Sequence, residues 1–485
     1  MAYKNYTFDP DMKLEIEKGP FEPNMDSLRT YVCPDWFRDA KFGIWSHWGP
    51  QSVPMYGDWY ARNMYIQGSD QYKYHCRHYG HPSKFGYKDI CKLWKAEKFD
   101  PDELMDLYVR AGARYFVGQA MHHDNFDNFD SDYNDWNSTK VGPMKDICQL
   151  WKAAAKKRGL PFGVTEHLAA SYVWMHHSHL ADEHGYMKGV PYDGADPENS
   201  DLYRDNDSER DGWYTVNEKY HQDWYRRIKN VIDKLEPDLL YSDGGLPFGK
   251  YGEAVVAHLY NKSAARNGGV NQAVYNQKDT NPDVFKIGVL DIERGIRGEA
   301  EPFPWQDDTS LGDWFYNVRD NYKTSEDVID TLVDIVSKNG NLLMNVTQKP
   351  DGTIDDETRA SLIRIGDWIA VNGEGIYGTR PWIKATEGRT SLKAGAFAEG
   401  KAEWTEHDWR FTQGRDGTVY AFRMRSSANT ARVASLGSIY THKNAKAVSV
   451  LGVGPVNFTQ REGDMLVDMP ENKFPTMPAC VKIEY

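Results

Sequence analysis

The chain has 485 residues and a formal net charge of −13, with a pI near 5.6 and a mean hydropathy of −0.71. The length exceeds one ordinary domain and suffices for a large buried core. The acidic balance argues against nucleic acid and anionic membranes as partners, because the long-range field repels phosphate, and no apolar run approaches the length of a membrane span.

The first 34 residues read as a polar, irregular lead-in without the apolar core of a signal peptide. That suits an intracellular protein, or a secreted or periplasmic one whose leader has been removed. Residues 42–46 predict a strand, closed by His47, Trp48 and Gly49 and followed by a loop with Asp58 and Trp59. Residues 65–100 read as loops and a short helix. Residues 100–111 predict a helix, with Pro101 near its start and acids in its first turn. A strand over 113–121 runs into His122, His123 and Asp124, and a helix over 145–157 leads to a strand over 160–165 that ends at Glu166 and His167. Residues 175–215 are acidic and rich in Gly and Pro, as in a long surface excursion.

A helix over 219–235 leads to PDLLYSDGG at 237–245. There Leu239, Leu240 and Tyr241 read as a buried strand that Ser242, Asp243, Gly244 and Gly245 terminate. A helix over 251–265, strands over 270–275 and 286–291, a helix over 324–338, a strand over 341–346 and a helix over 356–371 come next. The repeated strand–helix rhythm predicts a parallel sheet covered by helices, and its span fits a (β/α)8-like TIM-type barrel over residues 1–381. From 382 to 485 the segments become short, alternating and turn-bounded, which predicts a small C-terminal β-sandwich with a structural or accessory role. The octet DICKLWKA at 89–96 nearly recurs as DICQLWKA at 146–153, too short a match for a repeat architecture.

Ionisable residues gather just past the strands: His47, His122, His123, His167, Asp243 and Glu293. Barrel enzymes build their sites on that face. Asp243 reads either as an attacking or metal-binding carboxylate or as a turn residue capping the next segment. Glycoside hydrolysis asks for two carboxylates flanking the anomeric carbon. Glu293 is the second candidate, its bland alternative being an ion pair with Arg294, and Glu299 and Glu301 are rivals in the loop beyond. His122, His123 and Asp124 offer a metal-site reading, but adjacent strand residues point to opposite faces, which favours two separate sugar-binding imidazoles. Sixteen Trp and thirty Tyr suit either carbohydrate stacking or an aromatic core. The five scattered cysteines form no CxxC pair, and no GxSxG, P-loop, GxGxxG or HExxH motif occurs where serine hydrolases, nucleotide-binding proteins or zincins carry theirs.

With these segments set out, the chain resembles the α-L-fucosidases of glycoside hydrolase family 29. The resemblance rests on WFRDAKFGIWSHWGPQSVP, GDWYARNM, HHDNFDNFDSDYNDWN, PDLLYSDGG, SKNGNLLMNVTQKPDGTID and IGDWIAVNGEGIYGTRPW, which span about 36–382 in order. It implies a retaining exo-glycosidase that removes terminal α-L-fucose from a fucosylated oligosaccharide or glycoconjugate, without metal or organic cofactor. Asp243 takes the place of the nucleophile. The sugar-binding positions fall on His47, Trp59, His122 and His123, with His167 and Tyr241 at strand ends that also line the pocket. Asp58 stands where the family often has Glu. An Arg that the family places between nucleophile and acid has no match near Gln277 and Lys278, and Arg294 is the substitute at hand. Some members carry the acid in a later Trp-Glu pair; here that pair is Trp305–Gln306, which leaves Glu293 favoured over Glu301 and Glu299. The same chemistry on α-L-galactose, or a carbohydrate-binding protein without catalysis, are the alternatives.

Overall fold

The computed structural model describes residues 8–205, 212–400, 402–425 and 427–485. Eight strands close into a parallel barrel in sequential order: β1 Phe42–Ser46, β2 Tyr115–Met121, β3 Phe162–Glu166, β4 Leu239–Ser242, β5 Val274–Gln277, β6 Val289–Asp291, β7 Trp305–Ser310 and β8 Gly340–Asn345. Every residue of these strands is buried, because barrel side chains face either the lumen or the surrounding helices. The two sets alternate. Trp45, Tyr115, Val117, Leu239, Tyr241, Val289 and Leu343 fill the lumen, while Ile44, Phe116, Val164, Leu240, Leu290 and Met344 join the core beneath the helices.

Six long helices flank the barrel: α1 Pro101–Arg110, α2 Ile147–Lys157, α3 Glu218–Leu235, α4 Lys250–Arg266, α5 Ser325–Ser337 and α6 Asp356–Asn372. Local sequence starts several of them. Asp100 accepts from Asp102 N and Glu103 N at the head of α1, and Asp146 accepts from Gln149 N at the head of α2. Thr324 and Asp327 form a capping box on α5. Glu236 ends α3 in the left-handed region (φ 43°), and Pro237 then prevents its continuation.

The expected regularity fails in one sector. Between β5 and β6 there is a single helical turn, Pro282–Phe285, and between β6 and β7 no helix. β7 is the strand that the hydrophobic pattern misses: WQDDTS is mostly polar, yet its residues are buried, since a barrel lumen holds polar side chains where they bond one another. Gln306 accepts from Tyr115 OH (2.9 Å) and donates to Asp291 (2.7 Å). The 175–215 stretch also departs from a solvated excursion. Met175, Ser178, His179, Tyr192, Leu202 and Tyr203 are buried; the rest of that expectation, 206–211, lies outside the described residues.

Two antiparallel sheets complete the chain, built from β9 Arg380–Glu387, β10 Trp409–Gln413, β11 Val419–Arg423, β12 Thr430–Val433, β13 Ala447–Val450, β14 Gly454–Pro455, β15 Phe458–Gln460, β16 Met465–Asp468 and β17 Ala479–Glu484. One runs β14-β13-β17-β11-β10-β9 and the other β12-β16-β15. They share a core in which Phe411, Val419 and Val448 meet Val433, Met465 and Val467. The five cysteines are unpaired thiols. Among the described residues, no helix is long and apolar enough to cross a membrane.

Candidate active site

The C-terminal mouth of the barrel opens into a cavity of about 480 Å3. Its floor and walls come from consecutive strand ends: His47 after β1, His122 and His123 after β2, His167 after β3, Asp243 after β4, Lys278 after β5 and Glu293 after β6. The period-two geometry of strands explains the placement of the two candidate catalytic acids. Tyr241 faces the lumen, so Asp243, two residues on, rises above it on the same side. Asp291 and Glu293 repeat the relation. Ser242, between Tyr241 and Asp243, turns outward and donates to the buried Glu166, whose other oxygen accepts from Leu168 N and Trp224 Nε1. The Glu166 carbonyl accepts from Asp243 N (3.1 Å). Glu166 thus anchors the backbone beneath Asp243 without entering the cavity.

Of the glycine pair, Gly244 is the demanding one. Its φ is +115°, and a Cβ there would lie 2.2 Å from Tyr214 OH. Tyr214 uses that approach to donate to Gly245 O (3.2 Å). A Cβ on Gly245 would meet nothing closer than 3.4 Å, so only the first glycine is required by the turn.

Charge is concentrated around one cation. Lys278 Nζ lies 2.7 Å from Asp243 Oδ1 and 3.9 Å from Asp308 Oδ2, and also contacts Glu293 Oε2. Tyr241 OH bridges Asp308 (3.1 Å) and Asp243 (3.4 Å). Asp243 has 13% of its side chain exposed and Glu293 17%, yet the two diverge. Burial raises Asp243, but Lys278 and the hydrogen bond from His123 outweigh it and hold the carboxyl well below its usual range. Burial also raises Glu293, and there Lys278 offsets it only in part while Asp308 and Asp243 add to it, so its pKa stays up. Lys278 itself is pulled down by burial but pushed well above its ordinary value by Asp243, Asp308, Glu293 and Asp291.

The histidines form a second cluster. His122 and His123 both face the cavity, their rings 4.4 Å apart. The alternation expected of adjacent residues does not apply, because β2 ends at Met121 and the chain is already turning. Gln51 Nε2 donates to His122 Nδ1 (2.9 Å). His123 Nδ1 donates to the His167 carbonyl (2.6 Å), and its Nε2 faces Asp243 Oδ2 at 3.3 Å. Burial pushes His47 and His122 well below the ordinary imidazole value and His167 to about 3. Both ring nitrogens of His47, Nδ1 of His167 and Oδ1 of Asp58 are buried without a hydrogen-bond partner among the described residues. Burial also raises Asp58, helped by Asp313.

For a metal, the structure offers a different group from His122, His123 and Asp124. The Asp124 carboxylate is turned away, accepting from Tyr87 OH and Phe126 N. His47, His122 and His167 instead have ring nitrogens within 4.8 Å of one another, and uncharged imidazoles are the ligating form.

The other sequence candidates divide cleanly. His47, Asp58, Trp59, His122, His123, His167, Tyr241, Asp243 and Glu293 all line the cavity. Glu299 is exposed and outside it. Glu301 sits at the opposite end of the barrel, where its N–H donates to Lys338 O just before β8 (3.2 Å) and its carboxylate pairs with Arg297. Arg294 is not the substitute for the missing arginine: its guanidinium donates to Gly312 O (2.8 Å) and stacks on Trp314. Lys278 is the cation that stands between the two carboxylates, and its position directly after a strand, like that of Asp243, was the available signal. Asp308 was hidden by the unrecognised β7. Trp45, Trp213, Trp314 and Phe397 also line the cavity and carry no local motif.

A family model described as Alpha-L-fucosidase matches residues 10–374. The chain is 29% identical to tissue alpha-L-fucosidase of Rattus norvegicus over 379 residues, covering 76% of this chain and 74% of that one. It is 28% identical to plasma alpha-L-fucosidase of Homo sapiens over 478 residues, covering 94% and 90%. A Thermotoga maritima alpha-fucosidase structure in complex with fucose superposes with a TM-score of 0.71 at 25% identity, covering 96% of this chain and 100% of that one. The barrel, the carboxylates at its mouth and these matches together place the chain in the alpha-L-fucosidase family of glycoside hydrolases.

Proposed function

We propose that the protein is a retaining exo-glycosidase that removes terminal α-L-fucose from oligosaccharides or glycoconjugates. The observation that carries this reading is the bridge made by Lys278. One ammonium contacts Asp243 and Glu293 together. Two hydrogen-bond lengths limit the nearest carboxylate oxygens to roughly 5–6 Å. Retaining pairs stand about 5–5.5 Å apart, and inverting pairs about 6.5–9.5 Å.

The divergence of the two acids supports these roles. Asp243, its carboxyl held well below the usual range, attacks the anomeric carbon while Glu293, its pKa raised by burial, gives its proton to the departing glycosidic oxygen. The C–O bond to the leaving group breaks as the ester to Asp243 forms. Glu293, now ionised, takes a proton from water; the hydroxide oxygen attacks the anomeric carbon, Asp243 leaves, and fucose departs with its configuration retained. The unpartnered nitrogens of His47 and His167 and the Asp58 oxygen suit a polyhydroxylated ligand, since buried polar atoms call for partners.

The test is turnover of aryl α-L-fucoside and α-L-galactoside with and without chelator, following the first-formed anomer by NMR. α-Fucose should appear first, chelator should have no effect, and Asp243→Gly should lower kcat about a thousandfold or more. Glu293→Ala should lose about 10^2–10^4-fold on an oligosaccharide and less on good leaving groups, while Glu299→Ala and Glu301→Ala stay near wild type. No turnover by the wild type overturns the activity, β-fucose first overturns retention, and loss in chelator turns attention to the three-histidine group.

A further inference from the structure

The loop between β9 and β10 sends residues 394–399 back across the barrel mouth. There Gly395 forms an antiparallel bridge with Ile296, in the segment just after β6. Gly395 N–H donates to Ile296 O (2.9 Å), Phe397 N–H to Glu293 O (2.8 Å) and Glu399 N–H to Arg294 O (2.9 Å). The approach is close: a Cβ on Gly295 would lie 2.2 Å from Gly395 O. Glu399 fastens the far end by accepting from Thr309 Oγ1 (2.7 Å) and pairing with Lys323 (3.0 Å).

This clamp presents one large apolar side chain. Phe397 lines the cavity, is 70% exposed and holds φ +52°. Phenylalanine in the left-handed region is strained, and an exposed ring gains nothing from the core to offset it. Strain held in place by three backbone hydrogen bonds at a cavity rim points to use of the ring by a ligand. Its location says which part of the ligand. The proton donor lies against the glycosidic oxygen, so the leaving group extends on the side of Glu293, and Phe397 is tied to the backbone of that residue.

We propose that Phe397 is the platform for the leaving group, and that the preferred substrates are fucosyl oligosaccharides whose penultimate pyranose lays a flat C–H face on this ring. This rests on the glycosidase reading above. The β-sheet region thereby supplies a specificity element to the barrel's site.

The experiment compares kcat/KM for a fucosyl disaccharide, an aryl fucoside and α-L-fucosyl fluoride, in wild type, Phe397→Ala, Phe397→Gly and Phe397→Trp. Glycine suits the positive φ and so keeps the loop intact. Phe397→Ala and Phe397→Gly should both lose about tenfold more on the disaccharide than on the fluoride, and Phe397→Trp should keep most of the wild-type preference. Equal losses on all three substrates overturn the platform. A loss confined to the aryl fucoside overturns the sugar as its occupant. Wild type inactive on all three overturns the glycosidase reading instead, which separates the two failures.

Discussion

Lys278 stands between the two carboxylates, and its charge acts on both. Among the forces on Asp243 it is the largest that lowers the pKa, and it partly offsets the burial that raises Glu293. In the proposed mechanism Asp243 must be ionised to attack, so activity should fall when pH drops through its depressed value. Glu293 must there be protonated to donate, so activity should fall as pH rises through its elevated one. Lys278→Met removes the lowering influence from both groups. The pH profile of kcat/KM should therefore move to higher pH on both limbs, with a fall in its maximum of about tenfold or more. A lower maximum with unmoved limbs would show that Lys278 only holds the loop. The residue scale is also where sequence reading was uneven. Asp243 was legible because a strand, a carboxylate and a glycine turn are contiguous in the chain. Lys278 was not, because its partners lie 35 and 15 positions away and its place just past a strand was its one local signal.

Elements with a clean period were readable, and β7 was not. WQDDTS fails the apolar test for a buried strand because Gln306 and Asp308 bond to Tyr115, Asp291 and Tyr241 across the lumen. Such pairings exist only once the barrel closes. Helix packing carries a similar non-local constraint at Gly366 in α6. A Cβ there would sit 2.2 Å from the Arg110 carbonyl at the end of α1. Helix propensity by itself favours Gly→Ala. Here the added methyl must push α6 off α1, so Gly366→Ala should destabilise, by about 1–3 kcal/mol. Thermal unfolding checks the sign: a raised midpoint would mean that α1 gives way without cost.

The whole molecule is joined by a buried ion cluster. Asp334 in α5 pairs with Lys338 (2.7 Å) and with Arg410 of β10 (2.5 Å), all three nearly inaccessible to water. The Arg410 guanidinium also lies 4.6 Å above the Trp404 ring. Asp334→Ala leaves two cations buried without their shared anion, which should cost about 3–5 kcal/mol. Denaturant unfolding should show that loss, and a change below about 1 kcal/mol would mean that water enters to replace the carboxylate.

At this scale the division between chain and fold is plain. Strand–helix alternation, the capping residues, the acidic charge and the run of histidines and carboxylates just past strands are local, and so the barrel, the sheets after it and most of the cavity's polar lining were determined by sequence alone. Tertiary structure decided the rest. It set Lys278 against two acids, separated Glu293 from Glu301 by the height of the barrel, turned Asp124 away from the histidines and carried Phe397 to the mouth. Each depends on which distant segments meet, and hydrophobic periodicity orders a segment without naming its neighbour.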